Sequence, residues 1–381
     1  MSGPSFGLTR LALSSFRTYA AARVDLDTRP VVLTGPNGIG KTNVLEAISY
    51  LGSGRGLRSA TLQEPCRQPG EGAWAVAAQL SDKGAILADI GIGLAPASRA
   101  TRIVRINGAP ASGPLAVTEY LSLSWLTPAM DRLFQEGTTG RRRFIDRMVL
   151  ALNPAHASAV SSYEKAMRQR NALLAEDAPP DPAWISAIET KMAEDAVAIA
   201  ASRIELISQL EVAIANEDES AFPKARIALE GIAEAALSNG SAADVEKLLT
   251  DSWQAGRHRD SAAGRTLDGP HRTDLSVWHA PKDQPAAQCS TGEQKALLVG
   301  LILAHARMIE NLTGRGPILL LDEVAAHLDA ERRKALFERL TQQHGQSWMT
   351  GTDRAFFESF GEAAQFFQIS DGKIARDSEK G

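Results

Sequence analysis

The 381-residue sequence predicts an α/β fold: a head built on a mixed sheet with helices and an antiparallel flap, interrupted by an inserted, mainly helical arm domain. Three observations carry that reading. The stretch "PVVLTGPNGIGKTNVLEAISYLG" at 30–52 sets a β-branched run, a glycine-rich loop and a helical pattern in immediate succession. "GPILLLDE" at 316–323 is a near-continuous apolar run ending in two carboxylates, as expected of a central parallel strand. Between them the periodicity turns helical. The expected boundaries are 1–150 for the first lobe of the head, 151–259 for the arm and 260–381 for the second lobe.

Taken in order, residues 8–34 alternate as strands do and feed the glycine loop. The helix after that loop is stopped by Gly52. "AWAVAAQL", "AILADIGIGL" and "RIVRI" within 73–106 are strand-like, and Asn107-Gly108 predicts a hairpin turn. "NPAHASAVSSYEKAMRQRNALLAE" reads as a helix broken by "DAPPDP", because proline removes a donor and clashes with the preceding turn. A long helix is expected from about Trp184 to Ala215. Its apolar stripe, Ile185, Ile188, Met192, Ala196, Ile199, Leu206, Leu210 and Ala213, is interrupted only by Arg203. Such a stripe fits a coiled-coil seam and equally fits ordinary helix packing. After 260, "QSWMTGTD" and "AQFFQISDGKI" return to strands.

Composition bounds the function. With 44% hydrophobic residues the chain can bury a sizeable core. The start, "MSGPSFGLTRLALSSF", lacks a signal-peptide apolar region, and "ALLVGLILA" at 296–304 suits a buried helix better than a membrane span. Cys66 and Cys289 are the only cysteines, too few for a disulfide framework or zinc site, which fits a reducing cytoplasm. Net charge is −4, but it is uneven. Residues 1–150 carry 17 Lys/Arg against 11 Asp/Glu, residues 151–260 carry 10 against 18, and residues 261–381 carry 14 against 16. Any nucleic acid would have to be held by local basic patches.

"GPNGIGKT" at 35–42 matches G-x-x-x-x-G-K-[ST] between a strand and a helix. Gly35, Pro36, Asn37, Gly38, Ile39, Gly40, Lys41, Thr42 and Asn43 are therefore the expected ATP-binding residues. Backbone N–H groups would cradle the β-phosphate, Lys41 would reach the β/γ oxygens, and Thr42 with Asp322 would hold Mg²⁺. Glu323, next to Asp322, is the expected general base. "CSTGEQKA" at 289–296 opens a second helix from a Ser-Gly turn, a second place fit for an anion. One nucleotide has no use for both from the same molecule. Ser290, Thr291, Gly292, Glu293 and Gln294 resemble the S-x-G-x-Q signature of ABC-type ATPases, which caps a nucleotide bound by a second subunit. "HLD" at 327–329 resembles the D-loop, with Asp329 at the subunit interface.

The chain resembles the RecF family of bacterial recombination mediators nearly end to end. The likeness rests on Phe16, Arg17 and Tyr19 in "LTRLALSSFRTYAAARVDL". It rests also on Asn43, Glu46 and Ala47 after the phosphate loop, on Arg141–Arg143 with Phe144 and Asp146, on Gln169–Asn171, and on Gly269–Arg272. The resemblance implies a cytoplasmic protein of replication and gap repair. Such a protein dimerises with ATP, binds duplex or gapped DNA without reading sequence, works with RecR and RecO to load RecA, and hydrolyses ATP slowly. Two departures stand out: no Q-loop glutamine lies in "LSWLTPAMD", and Thr350 and Thr352 stand where a transporter ATPase has its switch histidine. DNA contacts are expected from Arg141, Arg142 and Arg143, then from Arg99, Arg102 and Arg105, although each group reads equally as a solvated face. Arg272 reads as structural or nucleotide-linked, and His271 as a packed histidine. A transporter ATPase subunit without need of DNA is the alternative, followed by a longer-armed SMC protein and a junction clamp without turnover.

Overall fold

The computed structural model describes residues 4–70, 72–96, 101–176, 180–217 and 221–377. The chain divides into two compact units. The first is Met1–Asp131, Glu217–Lys224 and Ser290–Gly381; the second is Arg132–Asn216 and Ala225–Cys289.

In chain order the first unit opens with β1 (Phe6–Phe16), β2 (Tyr19–Asp25), β3 (Val31–Thr34), α1 (Lys41–Ser49), β4 (Trp74–Asp82), β5 (Ala85–Leu94), β6 (Ile103–Ile106), β7 (Ala109–Pro110) and β8 (Leu123–Leu126). The second unit supplies α2 (Thr138–Leu150), α3 (Ala155–Leu174), α4 (Pro182–Ala215), β9 (Ala225–Glu230), α5 (Ile232–Leu237), α6 (Ala242–Ala263), β10 (Asp274–His279) and β11 (Gln284–Pro285). The first unit resumes with α7 (Thr291–Thr313), β12 (Ile318–Leu321), α8 (Ala330–Gln342), β13 (Ser347–Gly351), β14 (Gln365–Ser370) and β15 (Lys373–Arg376).

Two six-stranded sheets organise the first unit. The flap is antiparallel, in the order β2-β1-β4-β5-β6-β7. Along β1 the buried residues Phe6, Leu8, Leu11 and Leu13 would break a two-residue period, but a bulge between Leu8 and Arg10 resets the register. Asn107 and Gly108 both have positive φ and make the expected turn between β6 and β7. The second sheet runs β15-β14-β3-β13-β12-β8, parallel except for the edge strand β15. Every residue of β3, β12 and β13 is buried, which is why these segments lack alternation. Gln346 fastens one sheet to the other: its amide donates to Leu8 O and Asp27 O at 3.3 and 2.7 Å, and its Oε1 accepts from Leu8 N at 2.9 Å. By length and composition α7 could cross a membrane, yet most of its apolar face is buried in this unit.

The second unit packs α4 against α3, α5 and α6 beside a three-stranded sheet β11-β10-β9. At 34 residues α4 is roughly 50 Å long. It starts two residues earlier than expected, because the Asp181 carboxylate caps Ala183 N at 2.8 Å and Pro182 fits the first helical position. The whole expected stripe is buried. Arg203, its apparent interruption, is buried too: it reaches Asp146 at 2.9 and 3.1 Å, Glu234 at 3.1 Å and the Pro270 carbonyl at 2.8 Å. A second buried arginine, Arg170, joins Glu189, Asp260, Thr266 and the Trp253 carbonyl at 2.8–3.0 Å.

These units are cut differently from the expected 1–150, 151–259 and 260–381. α2 and β10 belong to the second unit because α2 packs on α3 and α4 and β10 pairs with β9, and the Arg141 guanidinium ties the two by forking onto Asp274 at 2.7 and 2.8 Å. Residues 217–224 return to the first unit, where Phe222 is buried beside Gly300 of α7.

Candidate functional site: a phosphate loop and an acidic strand end

The glycine loop leaves the C-terminal end of β3 and enters α1 at Lys41. Gly35 and Gly40 take φ of 147° and 114°, where side chains are strained. A Cβ on Gly35 would lie 2.8 Å from Ile369 O, and one on Gly40 2.7 Å from Thr18 Oγ1. Gly38 also has positive φ but faces open space. Pro36, Asn37 and Gly38 form the exposed apex, Ile39 is half-buried, and Tyr19 Oη donates to Gly40 O at 3.0 Å. In the first turn of α1 (Lys41–Ser49) Asn43 N and Val44 N both donate to Gly40 O, at 3.1 and 3.3 Å, while a helix start leaves the N–H groups before them without an i−4 carbonyl, which suits an anion. Lys41 folds back over the loop, its Nζ donating to Gly35 O at 2.7 Å and Pro36 O at 2.9 Å. Burial pushes its pKa down, against the pull of the Glu323 and Asp322 charges.

Asp322 closes the other side. Thr42 Oγ1 lies 3.0 and 3.1 Å from its two carboxylate oxygens, bringing together residues 280 apart in the chain. β13 lies between β3 and β12, so the strand that carries Asp322 is two places from the one that feeds the phosphate loop. Thr350 at the end of β13 fills the gap: its hydroxyl donates to Asp322 Oδ1 at 2.7 Å and accepts from Glu323 N at 2.9 Å. Glu323 is half-buried and left-handed, at φ 52° and ψ 24°. Thr42 and Asp322 supply hard oxygens a hydrogen bond apart, a donor set that fits Mg²⁺.

Asn43 Nδ2 donates to Thr18 Oγ1 at 3.2 Å, and its Oδ1 accepts from Arg58 at 3.0 Å. Behind it the fully buried Glu46 receives Arg17 at 2.7 and 3.0 Å and Arg58 at 2.6 Å. This explains why an acid sits inside an apolar helix face.

At the second helix start, Ser290 is the N-cap of α7 and forms a capping box with Glu293: Ser290 N to Glu293 Oε2 is 2.9 Å, and Glu293 N to Ser290 Oγ is 3.4 Å. Thr291 and Gly292 are exposed, whereas Gln294 is buried. Asp329 caps α8 through Arg332 N at 2.8 Å, and Arg332 Nη1 approaches Gly292 O at 3.5 Å. Arg332, which the sequence reading passed over, thus brings the signature turn and the expected D-loop together. Its signal was only its place three residues after a helix cap.

The expected DNA contacts divide. Arg141 is tied to Asp274, and Arg142 donates to Thr138 Oγ1 at 2.8 Å and Thr273 O at 3.1 Å. Arg102 donates to the carbonyls of Tyr50, Gly52 and Gly54 and lies over the Tyr50 ring, and burial lowers its pKa. These three arginines brace their own units. Arg143 and Arg105 are exposed, and Arg99 lies outside the described residues. His271 is packed as expected, stacked on Tyr163, whereas Arg272 is exposed.

A phosphate loop at one strand end, an acidic pair two strands across and a capped signature helix in the same unit define an ABC-type P-loop ATPase head. The family model described as RecF/RecN/SMC N terminal domain matches residues 7–374. The DNA replication and repair protein RecF of Rhizobium rhizogenes is 50% identical over 371 residues, covering 97% of this chain and 98% of that protein. Its namesake from Brucella suis biovar 1 is 50% identical over 368 residues, covering 96% and 95%. The chain belongs to the RecF family. Among solved structures, the recombination mediator protein RecF with ATPrS superposes with a TM-score of 0.85 at 21% identity over 99% of this chain and 100% of that one. An Smc head domain from Pyrococcus furiosus gives 0.52 at 15% identity over 98% of this chain and 96% of that one. Both show the fold.

Proposed function

We propose that this protein is an ATP-driven DNA-binding switch of replication and recombinational gap repair, acting in the cytoplasm with RecR- and RecO-type mediators to load RecA. Relatives bearing the name DNA replication and repair protein RecF support the role. The observation that carries the chemistry is the meeting of Thr42 with Asp322, with Glu323 next in the chain. Lys41 and the loop amides bind the phosphates. Thr42 and Asp322 hold Mg²⁺, which neutralises phosphate charge when bound. Glu323 accepts a proton from the attacking water as its oxygen bonds to the γ-phosphorus, and ADP leaves with the bridging oxygen. Ser290 and Gly292 have no use at their own phosphate loop under this reading; they cap the ATP of a second copy, so that ATP drives dimerisation. The transporter alternative has no support from the relatives.

Glu323→Gln tests the chemistry. It should bind ATP normally and lose about 10²–10⁴-fold in turnover, measured in single-turnover assays with and without gapped DNA. Lys41→Ala should instead weaken nucleotide binding itself, because a charge on the phosphates is lost. Wild-type turnover by Glu323→Gln would refute the base assignment.

A further inference from the structure

Thr350 is fully buried, yet its hydroxyl is shared between the two acids of the site. It gives its one proton to Asp322 Oδ1 and takes the Glu323 N–H on a lone pair. Asp322 has a second hydroxyl, Thr42, to orient it. Glu323 sits in the left-handed region, which a residue with a side chain occupies only when its surroundings hold it there. The Thr350 bond to its N–H is such a hold.

We propose that Thr350 is a positioning residue for hydrolysis: its hydroxyl locks the left-handed turn at Glu323 and thereby aims the carboxylate that accepts the water's proton. This rests on the reading of Glu323 as the base. Without the hydroxyl, Glu323 is released toward ordinary φ, which rotates its side chain relative to β12. Asp322 stays oriented by Thr42, so nucleotide and metal binding persist. The defect therefore falls on turnover and spares affinity, which a general loss of packing at β13 would not do.

The test compares Thr350→Val, which keeps the shape and removes both hydrogen bonds, with Thr350→Ser, which keeps both. Each is made in the full chain alone and with Glu323→Gln, and ATP affinity and single-turnover rate are measured. Thr350→Val should lose about tenfold or more in rate, up to the loss from Glu323→Gln itself. Its ATP affinity should be unchanged. Thr350→Ser should recover most of the rate. In the Glu323→Gln background, Thr350→Val should cause no further loss, because the group it aims is gone. The proposal is overturned if Thr350→Val hydrolyses ATP as wild type, if affinity falls along with the rate, if serine fails to rescue, or if the valine effect persists unchanged without Glu323. Wild-type turnover by Glu323→Gln alone would sink the base assignment, and the aim proposed for Thr350 with it. A slow Glu323→Gln beside a fast Thr350→Val would sink only the latter.

Discussion

His271 illustrates how single side chains are fixed here. Tyr163 Oη bonds its Nδ1 at 2.8 Å, its Nε2 reaches Thr266 O at 3.1 Å, and its ring stacks on Tyr163. The Thr266 carbonyl can only accept, so Nε2 carries a proton. Burial pushes its pKa below the ordinary histidine value, with the Arg272 and Arg142 charges adding to the fall and the Thr266 carbonyl opposing it. The unfolded chain then binds a proton that the folded chain resists. This contribution to stability is complete above about pH 6.5 and is lost as pH falls toward the depressed folded value. Thermal unfolding between pH 7.5 and 5 should show a smaller acid-side loss for His271→Gln than for wild type; equal slopes would show that His271 is not the resisting group. Local spacing made the phosphate loop and the Asp322-Glu323 pair legible, because loop, strand and helix are contiguous. Thr350 and Arg332 were not legible, since their roles come from partners 28 and 40 residues away in the chain.

At the scale of elements, α2 and α4 show the limit of reading charge from a sequence. Three successive arginines on α2 looked like one basic patch. A helix turns about 100° per residue, so consecutive side chains leave on different faces. Arg141 and Arg142 turn to partners in their own unit, while Arg143 is exposed. Arg141→Ala should cost roughly 1.5–3 kcal/mol, the range for hydrogen bonds to a charged group, with Asp274 left behind. Arg143→Ala should stay within about 0.5 kcal/mol of wild type. Denaturant titration compares them. DNA-binding titrations at several salt concentrations should then show Arg143→Ala, in a folded protein, flattening the salt slope by up to about one unit for each phosphate it no longer neutralises. An unchanged slope would place the DNA-binding surface away from α2. The stripe of α4 was legible because apolar period survives any tertiary arrangement that buries it. Arg203 was not, because a buried ion cluster and a break in a seam look alike until Asp146 and Glu234 are seen to meet it.

At the scale of the whole molecule, the proposed capping of one copy's ATP by a second copy is tested at Ser290. Ser290→Arg would put a bulky cation at the signature turn, far in sequence from Lys41. Nucleotide should still bind the single chain, while sedimentation should show wild type shifting to a dimer with ATP and the variant remaining a monomer. Normal dimerisation by the variant would defeat the two-copy reading. The chain order of the phosphate-loop helix, the Ser290-capped helix and the acidic strand end was legible end to end, but the cut between units was not, since no composition change marks 131 or 289. The return of residues 217–224 has a consequence for anyone treating the second unit as a removable cassette. Excising 132–289 as one piece would also remove Phe222, the Ala221 carbonyl that receives Arg332, and Glu217, which pairs with Arg307 and Arg339. Gly300 of α7 would lose its neighbour Phe222, and Arg307 of α7 with Arg332 and Arg339 of α8 would lose these partners. A graft between relatives must exchange 132–216 and 225–289 as two separate segments and must leave Glu217, Ala221 and Phe222 in the recipient.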